Sequence, residues 1–201
     1  VVAGHSMGAF VSVVLADRQP DRVESLVLVD GGLPLDLPAG MPTDEVITAV
    51  LGPAVQRLSM VFPSREAYVD FWRAHPAFSG GVGPGLAAYF DADLVEVPGG
   101  FASGVSIDRV REDTATQLDP DVLLPALERL RVPATLLRAE RGLFDQPEAL
   151  YSPEVAARWS ERVPLLDVVD VPDCNHYTIA FDPRPAEIVA RTIRARTTEA
   201  P

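Results

Sequence analysis

Basic side chains are scarce in this sequence. Its 201 residues carry 29 acidic side chains and only 17 basic ones, all of them arginine, which gives a net charge of −12. A chain this acidic is repelled by phosphate backbones and by anionic lipid headgroups. We therefore expect neither nucleic acid nor a membrane surface among its partners. No apolar run approaches the roughly 20 residues that span a bilayer.

Cysteine and histidine are also rare. The single cysteine, Cys174, excludes an internal disulfide and favours a reducing, cytoplasmic location. The three histidines, His5, His75 and His176, lack the spacing of a metal site. The sequence has neither a phosphate-binding loop nor a dinucleotide fingerprint. It therefore predicts no metal and no cofactor.

A serine lies between glycines near the start of the chain, in "VVAGHSMGAF". The apolar residues up to Gly4 predict the end of a buried strand, and the helical spacing of apolar residues after Ser6 predicts a helix that ends near Asp17. The glycines permit the sharp reversal between the two. A strand, a G-x-S-x-G motif and a helix in this order are typical of a nucleophile elbow.

With this elbow and the segments that follow it, the chain resembles the α/β-hydrolase family as far as its C-terminus. Three further segments, residues 23–29, 132–138 and 165–171, are predicted to be buried parallel strands. The resemblance implies an α/β fold that contains the last four strands of a partial α/β-hydrolase parallel sheet, with helices. It also places the histidine of a catalytic triad in the loop "DCNHYT", at His176.

About a hundred residues between Asp30 and Val132 show no clear strand, which is too long for a simple connection. Their patterns predict helices, including one over "GPGLAAYFDADLVE", one with Thr43 as its N-cap and one that begins with Ser64. The resemblance implies a helical cap insertion over residues 35–130, which would cover the serine and shape the pocket. Residues 1–34 and 131–201 would then form the hydrolase core. We expect His75, within the insertion, at the surface.

The resemblance gives these residues catalytic roles. Ser6, at the elbow, would be the nucleophile. A serine hydroxyl needs a base that removes its proton during attack. His176 would be that base. The backbone N–H of Met7 would be one donor of the oxyanion hole, and a loop earlier in the family's chain would supply the other. His5 is expected to pack beside the elbow.

The acid that orients the histidine has three candidates. Most of the family takes it from the turn after the strand before the last, where Asp145 is three residues late and Glu140 is early. A minority takes it from the end of the preceding strand, the place of Asp30 in "LVLVDGG". Asp30 is favoured narrowly over Asp145. Both also have structural interpretations, as a loop cap and as an Asx turn.

The expected function is hydrolysis of a small or medium ester, or cleavage of a related acyl or carbon–carbon bond, in a small-molecule substrate. The alternative is a binding protein of the hydrolase fold that holds a small ligand without turnover. Because the elbow begins at the fourth residue, we expect the chain to correspond to the C-terminal two-thirds of such a hydrolase. On its own it is expected to be inactive and to associate through the exposed edge of the elbow strand.

Overall fold

The structure, a computed structural model, describes residues 1–38 and 40–198. Its strands, in chain order, are β1 Val2–His5, β2 Leu26–Val29, β3 Leu94–Val97, β4 Gly100–Ser103, β5 Ala134–Ala139 and β6 Leu166–Val171. Its α-helices are α1 Met7–Arg18, α2 Thr43–Leu51, α3 Pro53–Gln56, α4 Arg65–Arg73, α5 Pro84–Ala92, α6 Ile107–Leu118, α7 Leu123–Glu128, α8 Pro153–Arg162, α9 Thr178–Phe181 and α10 Pro183–Thr198. Over the described ranges, none of these helices is long and apolar enough to cross a membrane.

The chain divides into two compact units. The first contains Val1–Leu37 and the residues from Gln117 onward, and the second is Pro38–Thr116. The second unit is therefore shorter than the insertion predicted over residues 35–130. Helix α7 lies in the first unit because its buried Leu123 and Leu127 join the core that contains α1.

A parallel four-stranded sheet forms the centre of the first unit. Its order is β1-β2-β5-β6, with Leu26 opposite both Val2 and Ala134. Strands β2 and β5 are buried along their whole length. Such continuous burial is expected for a parallel sheet that is covered on both faces. The sheet confirms the predicted fold class and the four predicted strand segments.

Side chains alternate between the two faces of this sheet, as the strand period requires. On one face, Leu28 and Leu136 pack in a cluster with buried residues of α1, α7 and α8. On the other face, Val29 and Leu137 pack in a cluster that partly buried residues of α10 complete. All strands run in the same direction, so their carboxyl ends, and the loops that follow them, gather at one edge of the sheet.

The second unit contains a hairpin at a place where the sequence predicts the end of a helix. Helix α5 ends at Ala92, and strands β3 and β4 then pair antiparallel. The reversal is made by Gly99 and Gly100, which have φ angles of 94° and 147°. Only glycine adopts such angles readily. The helix predicted over "GPGLAAYFDADLVE" is therefore wrong from Leu94 onward.

Aromatic rings fill the interior of the second unit. Trp72 stacks on Phe90 with ring centroids 4.7 Å apart and planes inclined by 3°. His75 packs against Trp72 and Phe78 and is only 4% exposed. The expectation that His75 lies at the surface is wrong. Burial among these rings lowers the pKa of His75 below its ordinary value.

Candidate active site

Ser6 lies at the sharp turn between β1 and α1. Its φ of 53° and ψ of −121° are unusual for a residue with a side chain. The turn brings the backbone of the two elements so close that a Cβ at Gly4 would lie 2.2 Å from the carbonyl oxygen of Gly8. The Ser6 N–H donates to the carbonyl oxygen of Val29 across the sheet edge, at 3.0 Å. The predicted strand, turn and helix are all present at this position.

His176 lies in the loop after β6 and faces the serine. Its Nε2 atom is 2.9 Å from Ser6 Oγ, and its Nδ1 atom is 2.7 Å from Asp30 Oδ2. The imidazole is 3% exposed and the carboxylate is fully buried. The structure thus brings Ser6, His176 and Asp30 together in one line of hydrogen bonds.

Asp30 is held by the sheet itself. It follows the last residue of β2, and its N–H donates to the carbonyl oxygen of Leu137 at 2.8 Å. Its φ of 42° turns the chain at this point, so that the side chain lies over the sheet edge. The second carboxylate oxygen, Oδ1, accepts the N–H of Ala139 at 3.0 Å. Each carboxylate oxygen therefore has its own donor.

The other two candidate acids make different contacts. Asp145 Oδ1 accepts hydrogen bonds from Arg141 Nε at 2.6 Å and from Asn175 Nδ2 at 3.0 Å. Although partial burial acts to raise the pKa of Asp145, these two donors outweigh it and hold the pKa below its ordinary value. Glu140 Oε2 accepts the N–H of Asp173 at 2.7 Å. Of the three candidates, the geometry favours Asp30 as the partner of His176.

His5 packs beside the elbow and contacts the histidine loop. Its Nε2 atom lies 2.7 Å from the carbonyl oxygen of His176, and the two rings are 4.8 Å apart. A carbonyl oxygen can only accept, so His5 must carry its proton on Nε2. Burial, together with the charge that His176 would carry when protonated, lowers the pKa of His5 to about 4. His5 is therefore a neutral donor near pH 7.

Met7 is the first residue of α1, immediately after Ser6. The first N–H groups of a helix have no partner within the helix and lie at the positive end of its dipole. An anion that forms at the serine would meet this end of α1. The Met7 N–H is therefore one of the groups at the positive end of α1, next to Ser6 in the chain.

Two residues near the site were not identified from the sequence. The Tyr151 hydroxyl donates to the carbonyl oxygen of Leu33 at 2.8 Å and accepts its N–H at 3.2 Å, which fixes the loop after Asp30. Burial, and then the Asp30 charge, raise the pKa of Tyr151 well above its ordinary value. Asn175 Oδ1 accepts the N–H groups of the two residues after His176, at 3.0 Å each. Asn175 could have been identified from the sequence by its polar amide side chain and its position directly before His176.

Cys174 lies near His176 but has the surroundings of a core residue. It is fully buried, and its thiol donates to the carbonyl oxygen of Val171 at 3.2 Å. Burial raises its pKa to about 11. A thiol of this kind remains protonated near neutral pH and is a poor nucleophile.

Nearly the whole chain is similar to known proteins. A family model described as the alpha/beta hydrolase family matches residues 1–192. Lipase LipV of Mycobacterium tuberculosis is 30% identical over 198 residues, which are 98% of this chain and 67% of that protein. The crystal structure of E-2-(acetamidomethylene)succinate hydrolase is 25% identical, with a TM-score of 0.72, over 98% of this chain and 66% of that one. A hypothetical protein of Pseudomonas aeruginosa PAO1 is 25% identical, with a TM-score of 0.66, over 98% of this chain and 67% of that one.

Proposed function

The chain belongs to the alpha/beta hydrolase family, and from this premise we propose that it acts as a serine hydrolase on a carbonyl compound. The chain spans about two-thirds of the length of the relatives it matches. In this proposal Ser6 is the nucleophile, His176 the general base and Asp30 the orienting acid. The observation that carries it is the line of hydrogen bonds that joins their side chains, at 2.9 and 2.7 Å.

The first half of the reaction forms an acyl-enzyme. The Ser6 hydroxyl donates to His176 Nε2, which takes its proton as Oγ bonds to the carbonyl carbon. The carbonyl electron pair moves to oxygen and returns when the bond to the leaving group breaks. His176 then gives its proton to the leaving alkoxide, so that an alcohol departs.

The second half uses water in place of the serine. His176 Nε2 takes a proton from a water molecule, whose oxygen attacks the acyl carbon. The bond to Ser6 Oγ then breaks, and His176 returns the proton to that oxygen. The products are a carboxylic acid and the free serine, so the enzyme is unchanged.

In both half-reactions, the role of Asp30 is to fix the orientation of the His176 imidazole. Its Oδ2 accepts the Nδ1–H, which leaves Nε2 unprotonated and facing the serine. The Ala139 N–H holds the other carboxylate oxygen, so the carboxylate cannot rotate away. The negative charge also stabilises the imidazolium that forms in each half-reaction.

The developing oxyanion needs backbone donors at the serine. The Met7 N–H is proposed as one of them, because Met7 is the first residue of α1 and directly follows Ser6. Removal of a single oxyanion donor in other serine hydrolases costs roughly 3–4 kcal/mol. The contribution of the Met7 N–H depends on the turn at Ser6, which would direct the start of α1 toward the reacting carbonyl.

The proposed substrate is a small or medium ester, and the proposed class is carboxylesterase-like. The name lipase of the 30% identical relative supports an ester. The structural relative E-2-(acetamidomethylene)succinate hydrolase is named as a hydrolase, which supports hydrolysis in general. A related acyl compound or an activated carbon–carbon bond fits the same nucleophile, base and oxyanion site.

The test is covalent labelling of the native protein, with any flanking residues it carries, by a fluorophosphonate probe. We expect labelling at Ser6, with loss of both labelling and esterase activity in Ser6→Ala. Ser12→Ala is the matched control, because its hydroxyl bonds to the carbonyl oxygen of Gly8 within α1. An unlabelled protein that binds a small ester without turnover would instead be a binding protein of this fold.

A further inference from the structure

The loop that carries His176 is fixed by the loop that follows β5. The Arg141 N–H donates to the carbonyl oxygen of Cys174 at 3.0 Å. The Asp145 carboxylate accepts from the Asn175 side chain at 3.0 Å. These contacts hold the two residues that directly precede the histidine. Neither contact involves Ser6 or Asp30.

Asp145 is itself held in place by a closed turn. Its N–H bonds to the carbonyl oxygen of Gly142 at 3.2 Å, and the Gly142 N–H bonds to that of Gln146 at 2.9 Å. Arg141 Nε donates to the same carboxylate oxygen that accepts from Asn175. The turn and Arg141 therefore orient the Asp145 carboxylate independently of its bond to the Asn175 amide.

Asn175 transmits this position to the histidine. Its side chain is 1% exposed and bonds in two directions, to Asp145 through Nδ2 and to the N–H groups of Tyr177 and Thr178 through Oδ1. The side chain thus connects Asp145 to the two backbone N–H groups that follow His176. The Asp145 contact is one of the bonds that fix the orientation of this amide, and that orientation sets the direction of the two Oδ1 bonds.

We propose that Asp145 is a positioning residue for the hydrolytic reaction, which acts through Asn175 to keep His176 Nε2 aligned with Ser6 Oγ. This inference rests on the proposed function. A carboxylate near the expected place of the triad acid thereby supports the base without bonding to it. Displacement of a reacting group by about 1 Å can cost on the order of 100-fold in rate, so the effect is measurable in kcat.

The main variant is Asp145→Gly in the native protein. Asp145 has a φ of 62°, which glycine adopts without strain, so the substitution removes the carboxylate and leaves the turn possible. We expect kcat for a small ester to fall about 10- to 100-fold while KM changes less than about twofold. Asp145→Asn keeps an acceptor oxygen for Asn175 and should remain within about threefold of the parent.

A charge exchange tests the contact directly. Asn175→Asp places two carboxylates against each other and should lower kcat about tenfold or more, because like charges repel at this distance. Adding Asp145→Asn to that variant restores a donor and an acceptor and should recover most of the activity. Glu148→Gln is the control, since it removes one charge from an exposed side chain of the same loop.

The possible results separate this inference from the proposed function. Substantial activity in Ser6→Ala would overturn both. An inactive Ser6→Ala together with a parental kcat in Asp145→Gly would overturn the positioning role alone. A loss of 10³-fold or more in Asp145→Asn, with Asp30→Asn near the parent, would also overturn it, because Asp145 would then be the orienting acid. If Asp145→Gly fails to fold, recovery of kcat in the exchanged pair decides the question.

Discussion

The Nε2 atom of His5 donates to the carbonyl oxygen of His176 at 2.7 Å. His5, which directly precedes Ser6, therefore holds the backbone of the histidine whose side chain bonds to Ser6. The elbow and the histidine loop are thereby joined twice, once through side chains and once through this contact. His5 occupies its position as a neutral ring, because burial and the charge of a protonated His176 lower its pKa to about 4.

His5 should make the stability of the fold depend on pH. Its pKa is lower in the folded chain than in the unfolded one, so the unfolded chain binds the proton first as pH falls. The contribution is fully present above pH 6.5 and is lost as the pH falls from 6.5 to about 4. We expect a loss of about 1–3 kcal/mol in the free energy of unfolding over this range.

Urea unfolding at several pH values measures this effect. His5→Gln places an amide donor near the position of Nε2 and does not titrate, so its free energy of unfolding should vary less between pH 6.5 and 4. His5→Phe should lower kcat, because it removes the donor to His176. An equal pH dependence in parent and His5→Gln would show that His5 is not the titrating group.

Asp30→Asn should reduce kcat by about 10⁴-fold with little change in the fold, because an amide at this place holds the imidazole in the wrong tautomer. The Asn oxygen can still accept the N–H of Ala139, so the backbone contact is retained. Steady-state kinetics on a small ester measure the loss. Glu140→Gln is the matched control and should stay near the parent. A larger loss in Glu140→Gln than in Asp30→Asn would contradict the assignment.

The two glycines of the serine motif should differ in their tolerance of a methyl group. A Cβ at Gly4 would lie 2.2 Å from a backbone oxygen, whereas a Cβ at Gly8 would have no such neighbour within 4 Å. Gly4→Ala should therefore abolish activity and lower Tm. Gly8→Ala lies in α1 and should raise the stability by about 0.5–1 kcal/mol, as alanine favours helix. Thermal unfolding of both variants checks this, and equal tolerance would mean that the close approach is absent.

Tyr151→Phe should destabilise the first unit by about 1–3 kcal/mol, because it leaves the buried N–H and carbonyl oxygen of Leu33 without their partner. Thermal unfolding gives the change. Tyr89→Phe, at a ring that is 60% exposed, is the control. Loss of kcat beyond the loss of folded protein would further show that the loop after Asp30 supports the acid. A Tm equal to that of the parent would contradict the proposed role of the hydroxyl.

The sequence predicts the sheet well because burial on both faces leaves continuous apolar runs. It also locates Ser6 and His176, since one lies in a short motif and the other follows the last strand. The choice among the acids depends on contacts between distant segments: Asp30 meets its partner 146 residues away. No local pattern around Asp30 or Asp145 carries that information.

The errors have physical causes as well. Leu94 and the residues after it have apolar spacing that suits a helix, but the turn at Gly99 and Gly100 pairs them as a hairpin. His75 follows a helix that carries Trp72, and these neighbouring rings bury it. Ser64 lies at the predicted start of α4 and caps it, because its hydroxyl oxygen accepts the N–H of Ala67 at 3.1 Å. The N-cap predicted at Thr43 is wrong, because Thr43 is the first residue of α2 and Pro42 holds the cap position. The start of each of these two helices is thus predicted to within one residue from local sequence, whereas the burial of His75 depends on packing.

The turn or loop after each of the four parallel strands contains a residue with a side chain and a positive φ. These residues are Ser6 at 53°, Asp30 at 42°, Asp145 at 62° and Asp173 at 60°. Such angles cost energy, up to about 1–3 kcal/mol each, though less for aspartate, so part of the stability of the rest of the sheet offsets them. The edge that carries the candidate active site is therefore also where substitutions would increase the stability of the fold. Selection for heat resistance alone would favour glycine or asparagine at these positions, at the expense of the proposed activity.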